Sequence, residues 1–144
     1  MKASTILLRE LAELAPLFDQ LRADGLRRRQ LTLPRRRLLM FLHHEGPLRS
    51  SDLAQRLAIT PRAVTALVDG LVVTGYAERR PDPTDRRAMF VELTDSGTAI
   101  CVDMQNSFDN FASQLFAGID TNELDATVQT ITTIRRNLEQ LLVA

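Results

Sequence analysis

The run ERRPDPTDRRAMFVELT, Glu78 to Thr94, places four arginines around two prolines and two aspartates in a chain whose formal net charge is +0. Guanidinium groups have one dominant chemistry at neutral pH: they stay charged and donate in a planar fork to phosphate or carboxylate oxygens. A solvated turn would need only one turn-forming pair such as Asp-Pro, so the doubled arginines on both sides ask for an anionic partner. The wider distribution agrees. Residues 22–87 hold fourteen arginines against seven acids, a surplus of seven, whereas residues 88–144 run six negative and residues 1–21 one negative. Basic charge gathered in the middle of a chain is placed to meet a polyanion while the ends do something else. The plainer alternative is arginines scattered on solvated faces.

The elements that must carry these groups follow from apolar spacing. Leu7, Leu8, Leu11, Leu14, Ala15, Phe18 and Leu21 recur at helical intervals and predict an amphipathic helix over Ser4–Arg22, kinked or split at Pro16. A second helix starts with Thr32 as cap and Pro34 in its first turn, buries Leu38, Leu39, Phe41 and Leu42, and stops at Gly46-Pro47. Then come two helices joined by a very short turn. Ser50 or Ser51 caps the first, with Leu53, Ala54 and Leu57 inward; Thr60 caps the second, with Pro61 at N1 and Val64, Leu67, Val68 and Leu71 inward, ending at Gly75. YAERR and AMFVELT have strand-like composition and PDPTDR has turn chemistry, which predicts a β-hairpin. Thr94 caps a long helix with Ile100, Met104, Phe108, Phe111 and Leu115 on one stripe. After Gly118 and Asp120, a last helix carries Leu124, Val128, Ile131, Ile134, Leu138 and Leu141.

A helix-turn-helix followed directly by a hairpin is a winged helix, so the fold class is mainly α with a small β-hairpin. Residues 31–94 form the winged helix-turn-helix, and residues 1–30 and 95–144 supply terminal dimerisation helices. A helix has the width of the DNA major groove and presents its N-terminal residues to base edges. The recognition positions are Thr60, Pro61, Arg62, Ala63, Thr65, Ala66 and Asp69. Arg62 is read as bidentate to guanine or bound to phosphate, and Ala63, Thr65 and Ala66 as methyl or hydroxyl contacts. The wing offers Arg79, Arg80, Asp85, Arg86 and Arg87 to an adjacent minor groove or to the backbone. Asp85 lies two residues before Arg87 on one side of an extended strand, placed to orient it. Arg35, Arg36, Arg37, Ser50 and Ser51 are candidate phosphate contacts; the triplets at 27–29 and 35–37 equally fit a solvated face. Leu7, Leu8, Leu11, Phe108, Phe111, Leu115, Ile131, Leu138 and Leu141 form the expected dimer interface, because the terminal stripes exceed what one small core covers.

The segment Leu31–Gly97, with DLAQRL, TPRAVTALVDGL, GYAERRPDPTDRR and ELTDSG in that order and spacing, resembles the MarR family of bacterial winged-helix regulators. The resemblance implies a homodimer joined through its terminal helices, a recognition helix at 61–74 in the major groove, and an Asp85–Arg87 pair serving the wing. It also implies release of DNA by a small aromatic or lipophilic ligand. Three departures stand out. Ala58 occupies a turn position where glycine is common, which is tolerable if the residue stays out of the left-handed region. Gly70 replaces a polar or basic residue, and Arg35–Arg37 replace glutamine and an aromatic.

The function expected is therefore a sequence-specific regulator, a repressor, that binds a pseudo-palindromic operator as a homodimer in the cytoplasm. The alternatives are a winged-helix protein-interaction module and a nonspecific architectural DNA-binding protein. No cofactor and no metal are expected: His43 and His44 lack further donors nearby, and Cys101 reads as a packing residue. No apolar run reaches membrane-spanning length. Ser50, Ser51 and Ser96 have no nucleophile-elbow or phosphate-loop context, so catalysis has no support.

Overall fold

The computed structural model describes residues Met1–Ala144, which divide into two compact units, Met1–Asp103 and Met104–Ala144. The elements in order are α1 (Ala3–Arg28), α2 (Leu33–Glu45), β1 (Leu48–Arg49), α3 (Ser50–Leu57), α4 (Pro61–Val73), β2 (Ala77–Pro81), β3 (Met89–Leu93), α5 (Asp95–Leu115) and α6 (Thr121–Val143).

Of the two outcomes expected at Pro16, a kink or a split, the split does not occur: α1 runs unbroken for 26 residues. Proline removes one backbone donor, and the carbonyl it deprives belongs to Ala12, an exposed residue that water can serve. Gly25 does not stop the helix either. The stop is at Gln30, in the left-handed region at φ 54, with the Leu31 N–H donating to the Leu26 carbonyl at 3.0 Å. This six-to-one closure recurs at α3, where Ile59 N–H reaches the Ala54 carbonyl at 3.1 Å, and at α4, where Tyr76 N–H reaches Leu71 at 2.9 Å. Only the last of the three uses a glycine, Gly75 at φ 80.

Ala58 closes α3 at φ 53 and ψ 44, so it does enter the left-handed region and the condition for alanine to replace glycine freely is not met. A Cβ there costs about 1–2 kcal/mol. Ala58→Gly should therefore raise unfolding stability by about 1 kcal/mol, after the greater freedom of unfolded glycine is subtracted. Urea denaturation checks this, and a lowered midpoint would contradict it.

The helix-turn-helix forms because its caps and apolar faces agree. Thr32 accepts from the Arg35 N–H at 3.4 Å to start α2, and Thr60 accepts from the Ala63 N–H at 3.1 Å to start α4. Leu38, Leu39, Leu53, Val64, Val68, Leu71 and Val91 are fully buried together with Cys101, each apolar side chain contributing about 1.5–3 kcal/mol. Phe41 and Leu67, expected in the core, are half-buried at its edge. Neither Ser50 nor Ser51 caps α3. The cap position falls to Arg49, the last residue of β1, whose guanidinium has no acceptor with which to make a side-chain cap bond.

That short strand turns the expected hairpin into a three-stranded antiparallel sheet in the order β1-β3-β2. Leu48 faces Val91 and Arg49 faces Phe90, while β2 and β3 pair from Ala77↔Leu93 to Pro81↔Met89. Thr94 then starts α5. Its hydroxyl accepts from the Gly97 N–H at 3.1 Å and donates to the Gly75 carbonyl at 2.5 Å, while its own N–H reaches the Tyr76 carbonyl at 3.1 Å. The helix start is thereby pulled so close to Tyr76 that a Cβ on Gly97 would lie 1.9 Å from that carbonyl oxygen.

In the second unit, α5 ends before Gly118, φ 82, and Asp120 caps α6 by accepting from Asn122 N–H at 2.8 Å. No residue of α6 is buried; Phe108, Leu115, Leu138 and Leu141 are exposed, and Phe111 and Ile131 half-buried. In the first unit, α1 likewise buries nothing, with Leu7 and Leu8 exposed and Leu11 half-buried. No helix is long and apolar enough to cross a membrane.

Candidate nucleic-acid interface

The outer surface of α4 begins at Thr60, whose hydroxyl is engaged as the helix cap. Pro61, Arg62, Thr65, Ala66 and Asp69 are exposed, while Ala63 is half-buried. Thr65 donates its hydroxyl proton to the Pro61 carbonyl at 3.0 Å, which leaves its methyl group and oxygen lone pairs for an outside partner. Arg62 takes part in none of the ion pairs. Asp69 does: it holds Arg79 at 2.5 Å and so ties α4 to β2.

That pair sorts the four hairpin arginines. Arg79 points back toward α4, and Arg80 binds Glu92 at 3.3 Å with its guanidinium 5.3 Å from the Phe90 ring centroid. The charges of both strand arginines are thus already engaged. Arg86 and Arg87, at the loop tip, are exposed and make no ion pair.

Asp85 does not act as its spacing suggested. Residues 85–87 form a turn rather than a strand, and the Asp85 carboxylate accepts from the Arg87 backbone N–H at 3.0 Å instead of from its guanidinium. The Asp85 carbonyl also accepts from the Ala88 N–H at 3.1 Å. It fixes the main chain beneath the arginines and leaves their side chains free.

The aspartate that anchors the loop is Asp82, which sequence reasoning missed. Its side chain is 2% exposed. One carboxylate oxygen accepts from both the N–H and the hydroxyl of Thr84 at 2.9 Å, and the other meets Arg49 of β1 at 2.5 Å in an ion-pair contact without hydrogen-bond alignment. The Asp82 N–H closes the loop base on the Ala88 carbonyl at 3.1 Å. The local signal was the Asp-Pro-Thr turn. Arg49 lies far away in sequence and gave none.

These contacts hold the Asp82 carboxyl below its ordinary range: the Thr84 backbone bond is the largest influence, burial opposes it, and the Thr84 hydroxyl and Arg49 reinforce it. A value depressed by folding contributes stability above the unfolded aspartate value of about 3.9 and loses it as pH falls through the folded one. The urea midpoint should therefore drop between pH 5 and pH 3 by less in Asp82→Asn than in the parent chain; equal drops would contradict this anchor.

The basic triplets divide as well. Arg27 pairs with Asp24 at 2.9 Å and Arg29 with Asp103 at 3.0 Å, while Arg28 and Arg37 are exposed. Arg36 is half-buried near Cys101, whose thiol is pushed up by burial against the opposing field of that arginine. Arg35 lies on Gly70 of α4: a Cβ there would fall 2.5–2.6 Å from its guanidinium atoms. The missing side chain of α4 is thus the space that Arg35 fills. Ser50 is half-buried and Ser51 exposed in the first turn of α3.

The fold that carries these residues has counterparts among known proteins. A MarR family model matches residues 29–88. The chain is 30% identical over 108 residues to the multiple antibiotic resistance protein MarR of Salmonella typhimurium, covering 70% of this chain and 75% of that one. It is 31% identical over 70 residues to the transcriptional regulator YfiV of Bacillus subtilis, where the match spans 49% of this chain and 44% of that protein. In structure it resembles Streptococcus pneumoniae FabT, solved in complex with DNA, with a TM-score of 0.75 at 19% identity, covering 94% of this chain and 99% of the other. The chain belongs to the MarR family of winged-helix transcriptional regulators, which are not enzymes.

Proposed function

We propose that this protein is a cytoplasmic repressor that binds a pseudo-palindromic operator as a homodimer, with α4 in the major groove and the wing against the flanking backbone or minor groove. The observation that carries the reading is three exposed cations of the helix-turn-helix and wing that no internal acid pairs: Arg62 at the start of α4, and Arg86 and Arg87 at the wing tip. The other two hairpin arginines, Arg79 and Arg80, are paired within the protein, so the unpaired guanidinium groups of the wing lie at its tip, where a duplex would run. Base contacts come from Arg62, Thr65 and Ala66, and Arg37 and Ser51 serve phosphates. The DNA complex of the structurally similar FabT supports the partner.

Dimerisation is supported by the apolar residues that each unit leaves uncovered, Leu7 and Leu8 in the first and Phe108, Leu138 and Leu141 in the second. Two-fold pairing would set the recognition helices about 34 Å apart, one DNA turn. Release by a small aromatic or lipophilic ligand completes the reading.

Selection of bound duplexes from a random pool tests it. Enrichment of an inverted repeat supports the regulator; tight binding without enrichment identifies an architectural protein, and no binding a protein-interaction module. On the selected duplex, Arg62→Ala and Thr65→Ala should change sequence preference more than overall affinity. Loss of binding on adding small aromatic acids would identify the ligand class.

A further inference from the structure

Arg49 lies outside both the recognition helix and the wing tip, at the end of a two-residue strand that runs straight into α3. Its register partner is Phe90, which on its other side faces Arg80. The two guanidinium groups lie 5.8 Å and 5.3 Å from the centroid of that ring, so one rung, Arg49–Phe90–Arg80, crosses all three strands.

From this rung Arg49 reaches Asp82 at 2.5 Å. A carboxylate taken out of water must have its charge compensated. One Asp82 oxygen is satisfied by Thr84, but the other is buried without a hydrogen bond and has only the charge of Arg49 against it. Loop residues 82–88 are tied at Asp82 through the carboxylate's bonds to Thr84 and through the main-chain closure of the Asp82 N–H on the Ala88 carbonyl. Without Arg49, Asp82 would move toward water and take the loop base with it.

We propose that Arg49 is the positioning residue of the wing: by compensating buried Asp82 it fixes residues 82–88, so that Arg86 and Arg87 meet DNA already in place. Immobilising a loop on docking costs entropy, and a loop held beforehand loses less. The proposal rests on the DNA-binding reading above and adds a link between β1, at the entry to the helix-turn-helix, and the wing.

The test is a double-mutant cycle in the full-length protein, read as affinity for the selected duplex. Arg49→Ala should weaken binding about tenfold in the parent chain. In the Arg86→Ala/Arg87→Ala background the same change should alter affinity by less than about twofold, since there is no tip left to position. An equal loss in both backgrounds, or no loss in the parent, overturns the proposal; the first result would mean that Arg49 touches DNA itself. Amide hydrogen exchange without DNA gives a second readout. Arg49→Ala should speed exchange at Thr84 and Ala88 while α4 stays protected, and unchanged exchange at Thr84 overturns the anchor even if no duplex is ever selected. If Arg49→Ala also exposes α4, Arg49→Lys takes its place under the same criteria.

Discussion

Gly97→Ala should lower the unfolding stability of this protein by about 3 kcal/mol, the upper end of what an extra methyl costs in a packed interior. The added carbon would lie 1.9 Å from the Tyr76 carbonyl oxygen, and a main-chain atom cannot rotate aside as a side chain can. Relief would require α5 to withdraw, and three bonds oppose that: Thr94 hydroxyl to Gly75, Thr94 N–H to Tyr76 and Gly97 N–H to Thr94. Helix propensity works the other way, favouring alanine by about 1 kcal/mol, but that is too little to offset the overlap. Urea denaturation measures the difference, and an unchanged or raised midpoint would refute this account of the contact. Gly97 does not have a positive φ, so it is steric room rather than backbone freedom that demands glycine.

The second large effect concerns DNA. Replacing Arg86 and Arg87 together by alanine should weaken operator binding about a hundredfold at moderate salt and flatten the salt dependence. A dimer would lose four cations, and each phosphate contact contributes about 0.9 to the slope of log affinity against log salt. Thermal unfolding should hardly change, because both side chains are exposed and make no ion pair. Arg79→Ala should divide the other way. It removes the tie to Asp69, so it disturbs how α4 and β2 are joined before any DNA arrives. Titrations of the double variant at several salt concentrations check the first claim, and an affinity equal to the parent would remove the tip from the interface.

What could be read directly from the chain was whatever its local chemistry determines. Thr32, Thr60 and Thr94 each cap the helix that follows, and a cap is decided within four residues. The buried faces of α2, α3 and α4 follow from spacing in the same way. The misreadings at Ser50, Ser51 and Asp82 share a cause, which is that a distant partner decides. Ser50 and Ser51 look like caps, yet β1 claims the preceding residue by pairing with β3. A two-residue strand has no period to detect. Gln30 and Ala58 end their helices where glycine would be expected, because the closing bonds to Leu26 and Ala54 outweigh the cost of the left-handed backbone. Asp85 and Asp82 look alike in the same loop, but only Asp82 is buried, and the arginine that compensates it comes from β1.

Arg35 lying over Gly70 gives these two positions one shared volume. A side chain introduced at 70 would displace a guanidinium at the end of a long flexible arm rather than main chain, so the arm can swing aside and the adjustment is small beside the one at Gly97. Transplanting α4 alone into a related regulator would carry only one half of that contact.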